Sequence, residues 1–549
     1  MSHARQTTTD MTTSQTPTPP VLNPDIFAGY VTAFNGYDPE GHADFIDNPS
    51  ALPWMVENIP YFECPDKDIE EIYYFRWWTY RKHIRKTPAG FVVTEFLPDV
   101  HWADRYNTTC MAASHQIREG RWLHDPAYMN DFSRFWFGGG GSPHMYSAWL
   151  ADCLYSRYLV NGDHSFVVSF LDALVRNFRE WESGWTPTHT MGWQDGKGRL
   201  AANGLFWQID SGCDGMEFSI GGGGHRPTIN SYMYGDALAT ARIAAMAGDE
   251  ATARAFEARA REIKVNVQRL LWDKEAGFFK TLCEENGIRY DLDKWYSSLR
   301  ENSPHYQPGQ LVDVREEIGF VPWCFNLPDP GFESAWSQLM DPQGFHAPYG
   351  PTSAEQRHPK FRYRVNHACL WNGPSWPFAT TQTLVAMANL LNDYDQTVVG
   401  KREYLETLRI YTRSHRLKRA DGAVIPWIDE DLDPYTGAWL ARDFLYAANA
   451  PDKDRGRDYN HSGYCDLVIS GLVGLRPRAD GVVEVNPLVP DGTWDHFCLD
   501  NVLYHGHLVT ILYDRSGRKY GRGAGLRIIV DGAEAARRRD IGRLQAGLS

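Results

Sequence analysis

The chain has 549 residues, of which 43% are hydrophobic and 23% are charged, proportions that are ordinary for a globular protein with a large core. Its net charge of −14 and its lack of a domain rich in lysine and arginine exclude nucleic-acid binding, which needs clustered basic side chains. No apolar run approaches the ~20 residues of a membrane-spanning helix, so no membrane partner is expected.

The first part of the chain predicts little regular structure. Residues 1–22 are rich in Thr, Pro, Ser and Gln and predict a disordered tail, and the Pro, Gly and Asn content of residues 23–64 predicts an irregular segment. The tail has no apolar segment typical of a secretory signal. The nine cysteines are scattered and form no CxxC pair. Reduced thiols and a cytoplasmic protein are therefore expected.

Helical patterns dominate residues 65–475. The first, at 66–85, has acids in its first turn and bases in its last, as the helix dipole favours. Further helical patterns lie at 107–119, 125–135, 143–160, 164–181, 228–247, 250–271, 314–325, 331–339, 374–391, 401–414 and 462–475, with a short strand at 91–96 and a hairpin edge at 273–279. Repeated helix pairs joined by long loops predict a mainly α protein, an (α/α)6 toroid whose loops form one pocket.

The pattern changes after residue 475. Segments at 482–485, 497–505, 507–513 and 526–530 alternate in a strand-like way, with turns between them. They predict a small β region over 476–535. Residues 536–549 are expected to form a basic tail.

A glycine-rich loop at 205–236 concentrates groups that suit sugar chemistry. Asp210, Asp214 and Glu217 follow closely after Trp207 and Gln208. Carboxylates transfer protons, a tryptophan face packs on a sugar ring, and an amide binds hydroxyl groups. Loops held by a rigid scaffold commonly carry such groups. The alternative interpretation is a solvated acidic loop with flexible glycines.

Two later stretches complete a recognisable set of motifs. Residues 366–377 read NHACLWNGPSWP, and residues 430–437 read EDLDPYTG. Together with the D-S-G-C-D run at 210–214, they resemble the inverting six-hairpin glycosidases that include trehalases, mannosyl-oligosaccharide glucosidases and mannosylglycerate hydrolases. The resemblance covers roughly residues 66–475.

The resemblance implies catalytic and binding roles. The family's E-S-G-x-D loop carries the general acid, which corresponds to Asp214, and its E-x-x-D-P-x-T-G segment carries the general base, which corresponds to Glu430. Glu217 is the alternative acid within the loop, and Asp433 is expected to form a turn. The residues expected to bind substrate are Trp207, Gln208, Asp210, Trp371, Asn372, Trp376, Trp149, Tyr146 and His367. The tryptophans could instead be core residues, and His367 could be structural.

Two departures from the family's pattern bear on specificity. Asn372 replaces the arginine of the family's W-R-G-P segment, so a forked cationic donor is lost. Residues 143–149 resemble the family's P-H-M-W-S-W-D segment, but Trp149 stands where the family has aspartate. Both changes lie at positions where the family contacts its substrate. They are therefore expected to affect the choice of sugar more than the type of reaction.

The expected function is therefore exo-acting, inverting hydrolysis of a short α-linked oligosaccharide or small glycoside. No cluster with metal-ligand spacing is present, so neither a metal nor a cofactor is expected. A carbohydrate is the expected partner, and homo-oligomerisation is left open. The alternatives are a sugar epimerase or isomerase that uses histidines such as His225, His367 and His461, a glycoside phosphorylase, and a non-catalytic carbohydrate-binding protein.

Overall fold

The computed structural model describes residues 20–38, 45–187, 195–209, 213–283 and 306–548. Its helices are α1 (Asp25–Tyr37), α2 (Asn48–Asn58), α3 (Lys67–Lys82), α4 (Cys110–Gly120), α5 (Pro126–Phe137), α6 (Leu150–Asn161), α7 (His164–Val168), α8 (Leu171–Ser183), α9 (Pro227–Met246), α10 (Glu250–Leu270), α11 (Pro377–Asp393), α12 (Lys401–Ser414) and α13 (Leu440–Ala447). Short 3-10 helices lie at Arg105–Asn107, Glu317–Phe325 and Glu333–Gln338, and a π-helical turn lies at Leu467–Leu472. The predicted mainly helical body followed by a β region is confirmed.

Helix α3 lies inside the helical body. Asp66 caps its first turn by accepting a hydrogen bond from the backbone N–H of Ile69 at 3.4 Å. Acids occupy the first turn, and Arg81 and Lys82 occupy the last, so both ends complement the helix dipole. Nearly every side chain of α3 is buried, which requires neighbouring elements on all of its faces.

Helices α9 and α10 form an extended antiparallel pair. Pro227 occupies the first turn of α9, where a missing backbone N–H is tolerated. Gly248 adopts a φ of +76° at the turn between the helices, a conformation that glycine reaches without strain. Asp249 then caps α10 by accepting a hydrogen bond from the N–H of Thr252 at 3.0 Å.

The β region contains two antiparallel sheets. The larger has the strand order β1-β10-β11-β12-β13, and the smaller has the order β14-β9-β8. Strand β1 comes from the N-terminal part of the chain, and its Tyr61 pairs with Asp500 on β10. The strands of these sheets are β1 (Tyr61–Glu63), β8 (Leu475–Arg476), β9 (Val482–Val485), β10 (His496–Tyr504), β11 (His507–Asp514), β12 (Gly525–Val530), β13 (Ala533–Arg538) and β14 (Leu544–Gly547). Three two-stranded hairpins complete the strands: β2 (Ile84–Thr87) with β3 (Gly90–Val93), β4 (Trp272–Asp273) with β5 (Phe278–Phe279), and β6 (Arg416–Lys418) with β7 (Val424–Pro426).

Two predicted segment boundaries are corrected by the structure. Residues 23–64 are not irregular, because they contain α1, α2 and β1, and Phe27, Val31 and Phe34 bury one face of α1 at helical spacing. The described part of the predicted basic tail, residues 536–548, is not a tail, because it contains the end of β13 and all of β14. Leu22 is already anchored, since its N–H donates to the Asp500 carboxylate at 2.7 Å. The rest of the predicted tail, residues 1–19, lies outside the described residues.

One continuous hydrophobic core joins the helical body to the β region. It runs from Phe27 in α1 to Ile528 in β12, so the two parts of the chain pack as one unit. None of the described helices combines the length and apolarity needed to cross a bilayer. All nine cysteines fall within the described ranges, and none forms a disulfide.

Candidate active site

A cavity of about 340 Å³ lies where helices α4 and α11 begin. Three glutamates line it: Glu95, Glu217 and Glu430. Its aromatic wall includes Trp102, Tyr146, Trp371, Trp376, Phe378 and Tyr459, and its histidines are His101, His367 and His461. In the described part of the chain, no three His, Cys, Asp or Glu side chains form a group that could hold a metal ion. Acids beside flat apolar rings suit a small hydroxylated ligand.

Glu430 is buried in the cavity wall, where a cation and a thiol fix its orientation. Arg455 donates from Nε to Oε1 at 2.7 Å and from Nη2 to Oε2 at 3.4 Å. The thiol of Cys369 donates to Oε2 at 3.3 Å. Although burial works against it, the charge of Glu430 raises the pKa of Arg455 above its ordinary value. The guanidinium therefore stays charged and makes two charge-assisted hydrogen bonds to the Glu430 side chain.

The acids that flank Glu430 do not line the cavity. Asp429 accepts hydrogen bonds from the backbone N–H of Glu430 at 3.0 Å and from the indole of Trp427 at 3.2 Å. Asp431 accepts one from the N–H of Ala441 at 3.0 Å. Burial and the charge of Glu430 raise the pKa of Asp429 to about 7, and the same two causes raise the pKa of Asp431. Glu430 is thus the member of this acidic run that lines the cavity.

Asp433 forms the turn that the sequence predicts. Its carboxylate accepts hydrogen bonds from the backbone N–H groups of Tyr435 at 2.9 Å and Thr436 at 3.1 Å. Arg362 adds an ion pair at 2.7 Å. These contacts hold the chain just after Glu430 in one conformation.

Glu217 brings a second carboxylate to the same cavity. Its loop turns at Gly215, which also lines the cavity and has a φ of +65°. The backbone carbonyl of Glu217 accepts a hydrogen bond from the N–H of Trp371 at 2.9 Å, which fastens the acidic loop to the tryptophan segment. The Glu217 side chain is half-buried. Burial and the charge of Glu217 raise the pKa of both Tyr146 and Cys369. Glu217 therefore influences the same thiol that contacts Glu430.

Asp214, the acid that the motif indicates, lies behind the cavity wall rather than on it. The residue is 1% exposed, and Nε of Arg226 lies 2.7 Å from its Oδ2. The hydroxyls of Ser147 and Thr228 each donate to its carboxylate at 3.2 Å. Burial raises the pKa of Asp214, in opposition to Arg226. These contacts occupy the carboxylate in the interior, and they favour a positioning role for Asp214 over contact with a ligand.

Glu95 is a third acid at the cavity, and it was missed in the sequence. It lies two residues beyond strand β3, and its carboxylate accepts hydrogen bonds from the hydroxyls of Tyr459, at 2.7 Å, and Thr109. Burial, with a smaller contribution from the charge of Glu430, raises the pKa of Glu95 to about 7. The sequence feature that could have indicated Glu95 is a single acid just after an apolar strand. A loop begins there, and loops often carry functional residues.

The structure places four of the predicted binding residues on the cavity wall: Tyr146, His367, Trp371 and Trp376. The rings of Trp371 and Trp376 are stacked, with centroids 4.4 Å apart and an interplanar angle of 11°. The indole N–H of Trp376 donates to the carbonyl of Leu370 at 2.8 Å and fixes the stack. Burial lowers the pKa of His367, so its ring is neutral near pH 7.

Two tryptophans that were predicted to bind sugar lie outside the cavity wall. Trp149 is 3% exposed and packs on Tyr232, with ring centroids 4.5 Å apart, so it is a core residue. Trp207 lies under the guanidinium of Arg199, whose central carbon is 4.3 Å from the ring centroid. Neither ring can stack on a ligand in this cavity while it packs in this way.

Two polar residues that were predicted to bind sugar serve the scaffold instead. Gln208 is fully buried, and its amide oxygen accepts a hydrogen bond from the N–H of Ile229 at 3.0 Å, in the first turn of α9. Asn372 is also buried, and its amide donates to the carbonyl of Tyr363 at 2.9 Å. The remaining predicted residue, Asp210, lies outside the described residues.

The comparison with known proteins adds a family to this geometry. Residues 105–462 match the mannosylglycerate hydrolase MGH1-like glycoside hydrolase domain. The chain belongs to this family. Residues 475–536 match the C-terminal domain of glycosyl hydrolase family 65, so the β region of this MGH1-like glycoside hydrolase also has a known counterpart. The resemblance drawn from the sequence motifs is confirmed.

Solved structures resemble the MGH1-like chain along most of its length. One named sialidase is 42% identical, with a TM-score of 0.83, and the match covers 96% of this chain and 45% of that chain. This chain therefore spans less than half of that relative. A GH78 family rhamnosidase of Bacillus sp. GL1 is 12% identical, with a TM-score of 0.52, and the match covers 86% of this chain and 41% of that chain. At that identity the likeness is one of fold alone.

Part of the site in this MGH1-like glycoside hydrolase comes from a segment with no sequence signal. Arg455, Tyr459 and His461 line the cavity, yet they lie in a polar run that matches no catalytic motif. Of the three, only His461 was considered from the sequence, as a candidate for isomerase chemistry. Arg455 lies 25 residues from Glu430 in sequence. Only the folded chain shows that the two residues form an ion pair.

Proposed function

We propose that this chain is an exo-acting glycoside hydrolase that cleaves a short α-linked oligosaccharide or small glycoside with inversion. Glu217 is the proposed general acid, and Glu430 is the proposed general base. The observation that carries the proposal is that these two glutamates line one cavity of about 340 Å³ beside the stacked rings of Trp371 and Trp376. Inverting hydrolysis uses two carboxyl groups ~6.5–9.5 Å apart on opposite faces of the sugar, with the attacking water beside the base.

The contacts of Glu430 support its role as the base. A base must be ionised before water attacks, and the contact with Arg455 at 2.7 Å places a cation beside the buried side chain, which favours that form. The Cys369 thiol adds a donor to Oε2, so the carboxylate has one defined orientation. Oriented in this way, the carboxylate takes the proton of a water molecule that attacks the anomeric carbon.

The position of Glu217 supports its role as the acid in preference to Asp214. Glu217 is half-buried on the cavity wall, where a leaving oxygen can reach it. Asp214 is enclosed by Arg226 and two hydroxyl donors. We propose that Asp214 positions the acidic loop, because its ion pair fixes the backbone three residues before Glu217.

The arrangement of the helices supports the toroid that the sequence pattern favours. Helices α9 and α10 pack as an antiparallel pair, as one hairpin of such a toroid would. Helices α4 and α11 begin at the same cavity. We propose that the helical pairs form an (α/α)6 toroid in which loops at one end enclose the active site.

The size and charge of the cavity support a small, neutral substrate. A volume of about 340 Å³ is near the lower limit of ligand pockets, which span ~300–1,000 Å³, so a terminal sugar fits better than a polymer chain. Three glutamates line the wall, and its guanidinium, Arg455, is already bound by Glu430 and by Asp452 at 3.0 Å. Burial lowers the pKa of His367 and His461, which leaves them uncharged near pH 7.

This charge balance bears on the relative that is named a sialidase. An acidic sugar needs a guanidinium with free donors for its carboxylate. Within the described part of the chain, the one arginine that lines the wall is already occupied by Glu430 and Asp452, and no other Arg or Lys lines the wall. We therefore propose that this chain acts on a neutral sugar rather than on a sialoside.

The reaction is tested with aryl α- and β-glycosides of neutral pyranoses and furanoses, with an aryl sialoside included for comparison. We expect turnover of a neutral α-glycoside and none of the sialoside. Proton NMR of the first-formed sugar should show inverted configuration, and retained configuration would overturn the mechanism. Epimerisation of a free sugar without hydrolysis of any glycoside would favour the isomerase, whose histidines also line the cavity.

The choice of acid is tested by the dependence on the leaving group. Glu217→Gln should slow hydrolysis of an alkyl glycoside by on the order of 10²–10⁴-fold but spare a glycosyl fluoride, whose leaving group needs no such help from an acid. Glu430→Gln should slow both substrates. Asp214→Asn should reduce both rates by the same factor. If Asp214→Asn slows only the alkyl glycoside and Glu217→Gln retains full activity, the general acid is Asp214, as the motif indicates, and not Glu217.

A further inference from the structure

A second cavity, of about 390 Å³, lies further along helix α4. Helix α4 reaches both cavities, with Met111 at the catalytic cavity and Arg118 at the second. Seven residues of α-helix separate these positions by about 10 Å along the axis. No described residue lines both cavities. The second cavity is therefore a separate space.

Arginine side chains dominate this second cavity. Its wall contains Arg118, Arg121, Arg242 and Arg476, together with one carboxylate, Asp152. The arginines come from three directions, because Arg118 and Arg121 lie at the end of α4, Arg242 lies on α9, and Arg476 lies on β8. Four guanidinium groups against one carboxylate in the wall favour an anion in this space.

Part of this positive charge is used within the protein. Arg121 lies 2.7 Å from the Asp466 carboxylate, and Arg118 contacts the same carboxylate at 3.4 Å. Burial alone would raise the pKa of Asp466, but Arg121 and Arg118 hold it below its usual value. Asp466 is thus an anion that pairs closely with Arg121 and less closely with Arg118.

The other guanidinium contacts are long or lack a carboxylate. Arg118 reaches Asp152 at 3.8 Å, and Arg476 reaches Asp393 at 3.7 Å, both beyond hydrogen-bond distance. Among the described residues, Arg242 has no carboxylate within 4.0 Å, and its guanidinium carbon lies 5.3 Å from the ring centroid of Tyr155. Arg476 also donates from Nη2 to the side-chain oxygen of Asn389 at 2.9 Å. Donor groups on Arg118 and Arg242, and the other N–H groups of Arg476, therefore remain for a ligand.

Helix-end electrostatics do not account for all four arginines. Arg118 lies in the last turn of α4 and Arg121 caps it, where cations complement the helix dipole. Arg242 lies before the last turn of α9, and Arg476 lies on a strand. These two side chains have no helix end to neutralise, and both line the cavity.

We propose that this arginine-lined cavity binds a phosphate group, either as free phosphate or on a small phosphate ester. A tetrahedral dianion has several oxygens that can accept the paired N–H donors of guanidinium groups from separate directions. The site draws donors from α4, α9 and β8, which fits that shape better than it fits a planar carboxylate. The proposal does not depend on the reaction in the catalytic cavity.

The test is calorimetric titration of the full chain with inorganic phosphate, with potassium chloride at equal ionic strength as the reference. We expect saturable binding of one phosphate per chain. Arg242→Ala and Arg476→Met should each weaken this binding at least tenfold. Arg254→Ala, an exposed arginine on α10 outside the cavity, is the matched control and should bind as the wild type does.

Two results would overturn the proposal: phosphate heats no greater than those of chloride, and wild-type affinity in both cavity variants. Arg242 is exposed, so its variant should fold even if Arg476→Met does not. A second titration with glycerol 3-phosphate distinguishes the source of the phosphate group. Tighter binding than that of inorganic phosphate indicates an ester, and weaker binding indicates the free ion.

Discussion

Arg455 and Glu430 form a two-point ion pair in the wall of the candidate active-site cavity, with Nε 2.7 Å from Oε1 and Nη2 3.4 Å from Oε2. The arginine gives a buried carboxyl group a charged partner and fixes the plane in which its oxygens lie. The proposed base therefore depends on a residue that matches no catalytic motif. The pair also limits the charge available to a substrate, because the guanidinium that could bind an anionic sugar is already occupied.

Arg455→Met should lower kcat/KM at neutral pH by on the order of 10²-fold, because a buried carboxylate without a cation takes up a proton readily. Raising the pH should restore part of the activity, whereas a merely misfolded enzyme would not recover. Arg455→Lys keeps the charge but loses the two-point contact of the guanidinium. Its kcat/KM should lie between those of the wild type and Arg455→Met. The measurement is a pH profile of kcat/KM on the best glycoside found.

The control for this prediction is Arg409→Met, which removes an ion pair with Asp66 at 2.8 Å outside the catalytic cavity. Its profile should match that of the wild type. If Arg455→Met instead keeps the wild-type profile, Glu430 is not the base that the pair supports.

The helical body was readable from the sequence because periodicity depends on local burial. Where a residue such as proline opposed the helical periodicity, the observed element differs from the predicted one. Residues 314–325 predict a helix, but Glu317–Phe325 forms a 3-10 helix, since Pro322 lies inside it and removes a backbone donor. The N-terminal helices were missed because Pro24 and Pro53 read as breaks, although Pro24 lies just before α1 and α2 accommodates Pro53.

The candidate site was only partly readable, because motif spacing does not give the direction of a side chain. The motif singled out Glu430 as the base, and the structure shows that this residue lines the cavity. Asp214 and Glu217 are three residues apart, and the choice between them depends on Gly215 and on the ion pair with Arg226. Such contacts form only after folding, so the sequence motif could not distinguish the two acids.

Glu95→Gln should change how stability depends on pH. Burial raises the pKa of Glu95 to about 7 in the folded chain, whereas an unfolded glutamate titrates near ~4.3. Between these values the folded chain holds a proton that the unfolded chain releases, so the free energy of unfolding falls as pH rises and levels off above about pH 7. A neutral glutamine removes this contribution.

Urea unfolding at pH 5 and pH 8 checks this prediction. From pH 5 to pH 8, the free energy of unfolding should fall more in the wild type than in Glu95→Gln. The difference should be on the order of 3 kcal/mol at most. Glu257→Gln, an exposed position on α10, should follow the wild type. Equal pH dependence in all three proteins would show that Glu95 holds no extra proton in the folded state.

The Asp214–Arg226 ion pair should behave as a coupled structural unit. Asp214→Asn and Arg226→Met should each cost about 3–5 kcal/mol of unfolding free energy, because each leaves a buried charge without its partner. The double variant should cost much less than the sum of the two, since neither charge remains. Denaturant unfolding of all four proteins gives the coupling energy. Additive losses would mean that the two side chains do not stabilise one another.

The stacked tryptophans should contribute to substrate binding, and Trp371 should matter more than Trp207. Trp371→Ala removes a ring from the cavity wall and leaves Trp376 without its stacking partner, so KM should rise by about tenfold, equivalent to ~1.4 kcal/mol. Trp376→Phe keeps an aromatic ring and loses the hydrogen bond to Leu370, so its effect should be smaller. Trp207→Ala should leave KM unchanged, because Trp207 packs under Arg199 away from the cavity. Steady-state kinetics on one glycoside compare the three variants. A KM that rises for Trp207→Ala but not for Trp371→Ala would mean that the sugar binds beside Trp207 rather than in this cavity.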